Sequence, residues 1–134
     1  MRITLYLCCL LFISAHDTPV AFFKIYKSEK KVLLEIVLDA EDLSNELKTT
    51  KKIDINLIQD YLEQHTRFEF DSCPTKVIVQ KLNYEKGHIK LFCFFEGISN
   101  YYSTFLIENN CMLSVNNYSN IIKIEINSLV GIIN

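Results

Sequence analysis

The residues with types suited to chemistry are His16, His65 and His88, the cysteines Cys73, Cys93 and Cys111, and the acid pair Glu41-Asp42. A histidine metal centre needs ligands at a spacing the fold can gather, and no two of these histidines stand at i, i+4 or another recognisable ligand spacing. His65 closes an apolar helical stripe, where a cation suits the negative end of the helix dipole. His88 follows a turn and is expected in solvent. His16 carries two readings. A cut just before it would leave a free amine beside its own imidazole, a pair that can chelate Cu(II) once the fold supplies a further ligand. The ordinary alternative is a polar, frayed terminus.

The cysteines and acids follow the same logic. A nucleophilic cysteine needs an exposed thiolate with a base beside it, whereas Cys93 stands among Phe92, Phe94 and Phe95, the surroundings of an inert core thiol. Gly97-Ile98-Ser99 lacks the second glycine of a nucleophile elbow. Glu41-Asp42 is explained by a helix start, whose positive end favours acids. Gly87, Gly97 and Gly131 lie too far apart to cradle a phosphate. No catalytic, cofactor-binding or metal-binding residues are therefore assigned, and the chain reads as a non-enzyme.

Composition narrows the partners. With 49% hydrophobic and 22% charged residues, the 134-residue chain is apolar enough to fold as one domain. Lys+Arg 14 against Asp+Glu 16 gives a net charge of -2, which argues against a nucleic-acid partner.

The first fifteen residues read as an address. Met1-Arg2 is a short basic start, Ile3 to Ile13 carries no charge, and Ser14-Ala15 places small residues before His16. That is the layout of a secretory signal peptide, cleaved after Ala15. The apolar run is shorter than the roughly 20 residues a membrane helix needs, so no transmembrane span is expected after cleavage. Cys8 and Cys9 lack the small residues that precede a lipidated cysteine. The expected division is 1–15 signal peptide and 16–134 a single domain, exported to the periplasm or the extracellular space.

The elements that would position any site come next. Ala21, Phe23 and Ile25 alternate with polar neighbours, as do Val32, Leu34, Ile36 and Leu38, predicting two half-buried strands joined through Lys27-Ser28-Glu29-Lys30. The period then becomes helical. Asp39 can cap a short helix carrying Leu43 and Leu47, and Asp54 a second one with Leu57, Ile58, Tyr61 and Leu62 on one stripe. Strands resume at Arg67-Phe70. One long strand is expected over Thr75-Tyr84, then Tyr84-Glu85-Lys86-Gly87 as a turn followed by a bulge with glycine at positive φ, leading into Ile89-Phe95, which reads as a central strand covered on both faces. Tyr101, Ser103, Phe105 and Ile107 alternate with Tyr102, Thr104 and Glu108, and Ile122, Ile124 and Ile126 with Lys123 and Glu125, completing seven or eight strands. The expected fold is mainly β (α+β): an antiparallel β-sandwich, the immunoglobulin-like arrangement being one form of it, with two helices inserted after the second strand. Ile36, Leu38, Leu62, Leu91, Phe105 and Ile124 are expected in its core.

Cleavage would leave Cys73, Cys93 and Cys111. An up-and-down strand order separates them along strands of about 25–30 Å, whereas bridged Cα atoms lie about 4.4–6.8 Å apart. No intramolecular disulfide is expected, with Cys93 buried and Cys73 and Cys111 exposed.

The order of elements resembles an uncharacterised family of small bacterial exported domains. The likeness is carried by Ala15-His16, Leu34-Glu35-Ile36-Val37-Leu38, Glu41-Asp42-Leu43, Tyr61-Leu62, Glu96-Gly97-Ile98, Glu108-Asn109 and Asn120-Ile121-Ile122-Lys123. It implies an exported sandwich and brings no catalytic residue with it. Asn117-Tyr118-Ser119 stands where that family tends to carry an acidic, glutamine-containing turn. Phe22, Tyr26, Tyr101 and Tyr102 offer aromatic surface for recognition. The leading function is thus a non-catalytic periplasmic or secreted domain acting through protein or envelope contacts; the alternative is a copper-handling domain using His16.

Overall fold

In the computed structural model, residues 19–98, 102–126 and, for the backbone alone, 130–133 are described. Among these described residues nine strands and two helices follow in the order β1 (Val20–Ser28), β2 (Lys31–Asp39), α1 (Ala40–Glu46), α2 (Ile55–His65), β3 (Thr66–Phe70), β4 (Cys73–Thr75), β5 (Val77–Glu85), β6 (His88–Phe95), β7 (Thr104–Asn109), β8 (Ser119–Glu125) and β9 (Val130–Ile133). Both helices fall after the second strand, as the change of period predicts.

The strands form a five-stranded sheet in the order β5-β6-β2-β1-β8 and a four-stranded sheet in the order β4-β3-β7-β9. Pairing is antiparallel except that β8 runs parallel to β1 and β9 parallel to β7. The two sheets meet through aromatic rings. Phe95 of the larger sheet packs edge-on against Phe68 and Phe70 of the smaller one, each at 5.1 Å between centroids. The mainly β sandwich expected from the alternation is therefore present, with two parallel pairs that local patterning could not reveal.

Local chemistry explains the elements. Ala21, Phe23 and Ile25 of β1 and Val32, Leu34, Ile36 and Leu38 of β2 are all buried, so period 2 sends one complete face inward. Asp39 ends β2 and caps α1, its Oδ1 accepting from the Glu41 and Asp42 amides at 2.9 Å. Asp54 caps α2 by accepting from the Leu57 amide at 2.9 Å. Between β5 and β6 the turn residues Lys86 (φ 47°) and Gly87 (φ 84°) both lie in the left-handed region, with Glu85 opposite His88. Two consecutive positive φ values define the tight turn whose twist matches the flanking strands.

Four expectations are corrected. The stretch Thr75-Tyr84 is not one strand: β4 pairs with β3 in the small sheet, and after Lys76 the chain crosses to the large sheet as β5. β6 is buried on one side only. Ile89, Leu91, Cys93 and Phe95 face the core, while Phe92 and Phe94 are half-buried on the outer face. Ile124 is half-buried because β8 is an edge strand. Cys111 is buried, not exposed, because the chain folds inward after β7 instead of leaving the sheet at its end. Cys73, Cys93 and Cys111 are free thiols, in agreement with the expected lack of a bridge among them. Among the described residues no helix is long and apolar enough to cross a membrane.

Candidate functional site

Three rows of side chains cross the outer face of the large sheet, fixed by its register. One row runs Ile121, Phe22, Val37 and Lys90; the next Lys123, Lys24, Glu35, Phe92 and Lys81; the third Glu125, Tyr26, Leu33, Phe94 and Ile78. Apolar residues dominate the first and third rows and charges the middle one. Phe22, Tyr26, Leu33, Val37, Phe92 and Phe94 are half-buried, and Ile121 is 48% exposed. Ring faces are partly covered by lysine stems. Lys24 Nζ lies 5.3 Å from the Tyr26 centroid, and Lys90 Nζ lies 5.3 Å from that of Phe92. Such stacks are weakly attractive and leave the ring edges open. Glu35 anchors Lys90 at 2.9 Å, and that hydrogen bond, ahead of any burial cost, raises the lysine's pKa.

Phe94 also belongs to a cavity of about 290 Å³ at the β1–β2 turn end of the sandwich, lined by Lys27, Lys30, Lys31, Val32, Phe94, Phe95, Glu96, Gly97, Ile98 and Tyr102. None of the three lysines has an ion-pair partner among the described residues. The segment Glu96 to Ile98 and Tyr102 also wall a neighbouring cavity of about 250 Å³ that reaches Asp71 and Cys73. Tyr102 is held there by an edge-on contact with Phe70 at 5.0 Å, and burial raises its pKa.

The cavity wall is positioned by Asp71. Its Oδ1 accepts from the amides of Ser103 (2.8 Å) and Thr104 (2.9 Å), while its own amide donates to the Thr104 carbonyl at 2.9 Å. The hydrogen bonds from Thr104 and Ser103 hold the Asp71 carboxyl below its ordinary pKa. Asp71 thus ties the start of β7 to the end of β3.

The residues weighed for chemistry are kept apart. His65 Nδ1 sits 2.9 Å from the Tyr61 carbonyl and its ring stacks on Tyr61 at 4.2 Å, a helix-end arrangement. His88 is exposed, 3.8 Å from Asp39. His16 and Tyr101 lie outside the described residues. Among the described residues no three His, Cys, Asp or Glu side chains gather as a metal site. Glu41 and Asp42 serve the helix start; burial and then the neighbouring Asp39 and Glu41 charges raise the Asp42 pKa. Burial pushes the Cys93 and Cys111 thiols up to about 12, leaving them protonated and unreactive at neutral pH.

Two arrangements escaped the sequence reading. One is the lysine-rimmed cavity, for which the signal was the Lys27, Lys30, Lys31 cluster around the first turn. The other is a polar knot around Cys111. Asn109 Oδ1 accepts from its amide, Asn120 Nδ2 donates to its carbonyl, and Tyr61 Oη accepts from the Met112 amide at 2.8 Å. Met112 there has φ 61°, so three side chains hold a strained backbone inside the core. Compared with known protein families, curated proteins and solved structures, the chain matches none.

Proposed function

We propose that the chain is an exported, non-catalytic β-sandwich domain that acts by contact with a protein or envelope component, through the outer face of its five-stranded sheet. The observation that carries the reading is the half-buried aromatic and aliphatic set Phe22, Tyr26, Leu33, Val37, Phe92 and Phe94 on that face. Apolar clusters of this kind, interleaved with polar groups, mark interaction surfaces. Export is supported by the basic start, apolar run and small residues of positions 1–15. The non-catalytic part is supported by the dispersal of His65, His88 and Glu41-Asp42 and by the inert surroundings of Cys93.

Site-specific photo-crosslinking in intact bacteria tests it. A photoreactive phenylalanine analogue at Phe92 is expected to give a discrete crosslinked product in the exported fraction, while the same analogue at exposed Thr50 gives none. Equal, diffuse crosslinking at both positions would overturn the contact reading. A product confined to the cytoplasm with residues 1–15 still attached would overturn export.

A further inference from the structure

Among the described residues, the edges of the two sheets are treated very differently. β4 is three residues long and carries Pro74, which cannot donate to a further strand. The outer edge of β5 is occupied by a side chain: Gln59 of α2 donates to the Val77 carbonyl and accepts from the Val79 amide, both at 2.8 Å. These are ordinary ways of closing an edge against added strands. β8 has neither device. It is seven residues long, pairs only with β1, and ends the strand order of the large sheet.

The sequence of that open edge is complementary to itself. Ile122-Lys123-Ile124-Glu125-Ile126 reads the same from both ends except that a lysine becomes a glutamate. Lys123 and Glu125 lie on the outer face, and Ile122, Ile124 and Ile126 lean on the core. Two copies laid antiparallel about a two-fold axis at Ile124 place Lys123 of each opposite Glu125 of the other. In the same register Ile124 meets Ile124 and Ile122 meets Ile126. Moving the axis to Lys123 sets lysine against lysine, and moving it to Ile122 leaves both charges opposite uncharged residues. Opposite charges across a strand pair attract and like charges repel, so this strand specifies one register. Within one copy Glu125 is held by Lys24 at 3.0 Å and Lys123 at 2.6 Å, so the two β8 charges lie together on the outer face of the edge strand.

We propose that the chain forms a two-fold dimer by antiparallel pairing of β8 with β8 of a second copy about Ile124, joining the two large sheets into one continuous sheet. Such a dimer is isologous and closed. It uses the edge of the large sheet and leaves Phe92 and Phe94, on β6, free for the contact proposed above.

Analytical ultracentrifugation of the purified chain over a concentration series tests the pairing, with circular dichroism confirming that each variant is folded. The wild type is expected to show a reversible monomer–dimer equilibrium that weakens with added salt. Glu125→Lys and Lys123→Glu each place like charges opposite one another twice per dimer, and each is expected to weaken dimerisation by roughly tenfold or more. The double variant Lys123→Glu with Glu125→Lys restores both pairs in the same register and is expected to recover the wild-type association. A wild type that stays monomeric throughout would overturn the proposal. So would a dimer indifferent to both single charge reversals, or a double variant no better than the singles. If one single variant fails to fold, the other and the double variant still decide between these outcomes.

Discussion

The side-chain amide of Gln59 pairs with the backbone of Val79 as a neighbouring strand would: its Oε1 accepts from the Val79 amide at 2.8 Å, and its Nε2 donates to the Val77 carbonyl at 2.8 Å. The same Nε2 lies 2.8 Å from Glu63, which in turn holds Lys76 at 2.9 Å. Replacing Gln59 by Ala strips two backbone groups of their partners at a half-buried site, and a loss of about 1–3 kcal/mol is expected in urea denaturation. Gln59→Glu keeps the acceptor but sets a carboxylate oxygen against the Val77 carbonyl and the Glu63 carboxylate, so at neutral pH it should be destabilised at least as much as Gln59→Ala. Wild-type stability in both variants would show that the β5 edge does not depend on this side chain.

Core truncations should separate the interior from the edge. Ile36 and Leu91 have no exposure, and truncation of either to Ala is expected to cost about 2–5 kcal/mol. Ile124→Ala, on half-buried β8, should cost clearly less. The comparison is made below the dimer's dissociation constant, where a loss at Ile124 equal to that at Leu91 would contradict the placement of β8 at the edge of the sheet.

What could be read in advance depended on how local each cause is. The β1 and β2 faces were legible because alternation alone sends Phe23, Ile25, Leu34 and Ile36 inward. The caps Asp39 and Asp54 were legible because a carboxylate next to a change of period has one helical use. The break at Lys76 was not, since neither glycine nor proline marks it and Val77 and Val79 continue an alternating pattern. The register shift between Val79 and Lys81 then lets Leu82 rejoin the inner face, which hides the crossing further. The lysine-rimmed cavity depends on residues about seventy positions apart, Lys27 and Glu96 among them, and no local pattern reports such proximity. The same holds for the parallel placement of β8 beside β1.

Thiol reactivity should follow burial. In the folded chain prepared without residues 1–15, Cys73 alone is expected to react quickly with a thiol reagent at mildly alkaline pH, because Cys93 and Cys111 are buried and their thiols are pushed up to about 12. Three thiols should react after denaturation. The sign of the linkage follows. Unfolding returns both groups to the ordinary value of 9.0, so unfolding releases protons and stability falls as pH rises from about 9 towards 12. Rapid reaction of all three thiols in the native protein would contradict the packing around β6 and the Cys111 knot.

Asp71 should shape the acid limb of stability. Its hydrogen bonds to Thr104 and Ser103 hold the folded pKa below the ordinary 3.8. Its stabilising contribution is therefore present above that value and lost as pH falls through the folded one. Asp71→Asn should lower the melting temperature near neutral pH and flatten its dependence as pH falls below the ordinary carboxylate value of 3.8. Melting curves that stay parallel to wild type across that range would remove Asp71 from the account.

The proposed working surface is the outer face of the five-stranded sheet. Hydroxyl-radical footprinting read by mass spectrometry tests it most directly, comparing Tyr26, Phe92 and Phe94 in the purified protein and in intact exporting cells. Purified, the half-buried rings should be oxidised readily; in the cells they should be protected several-fold, with Tyr84, exposed elsewhere on the molecule, unchanged as the internal reference. Equal oxidation of Phe92 and Phe94 in both settings would contradict the claim.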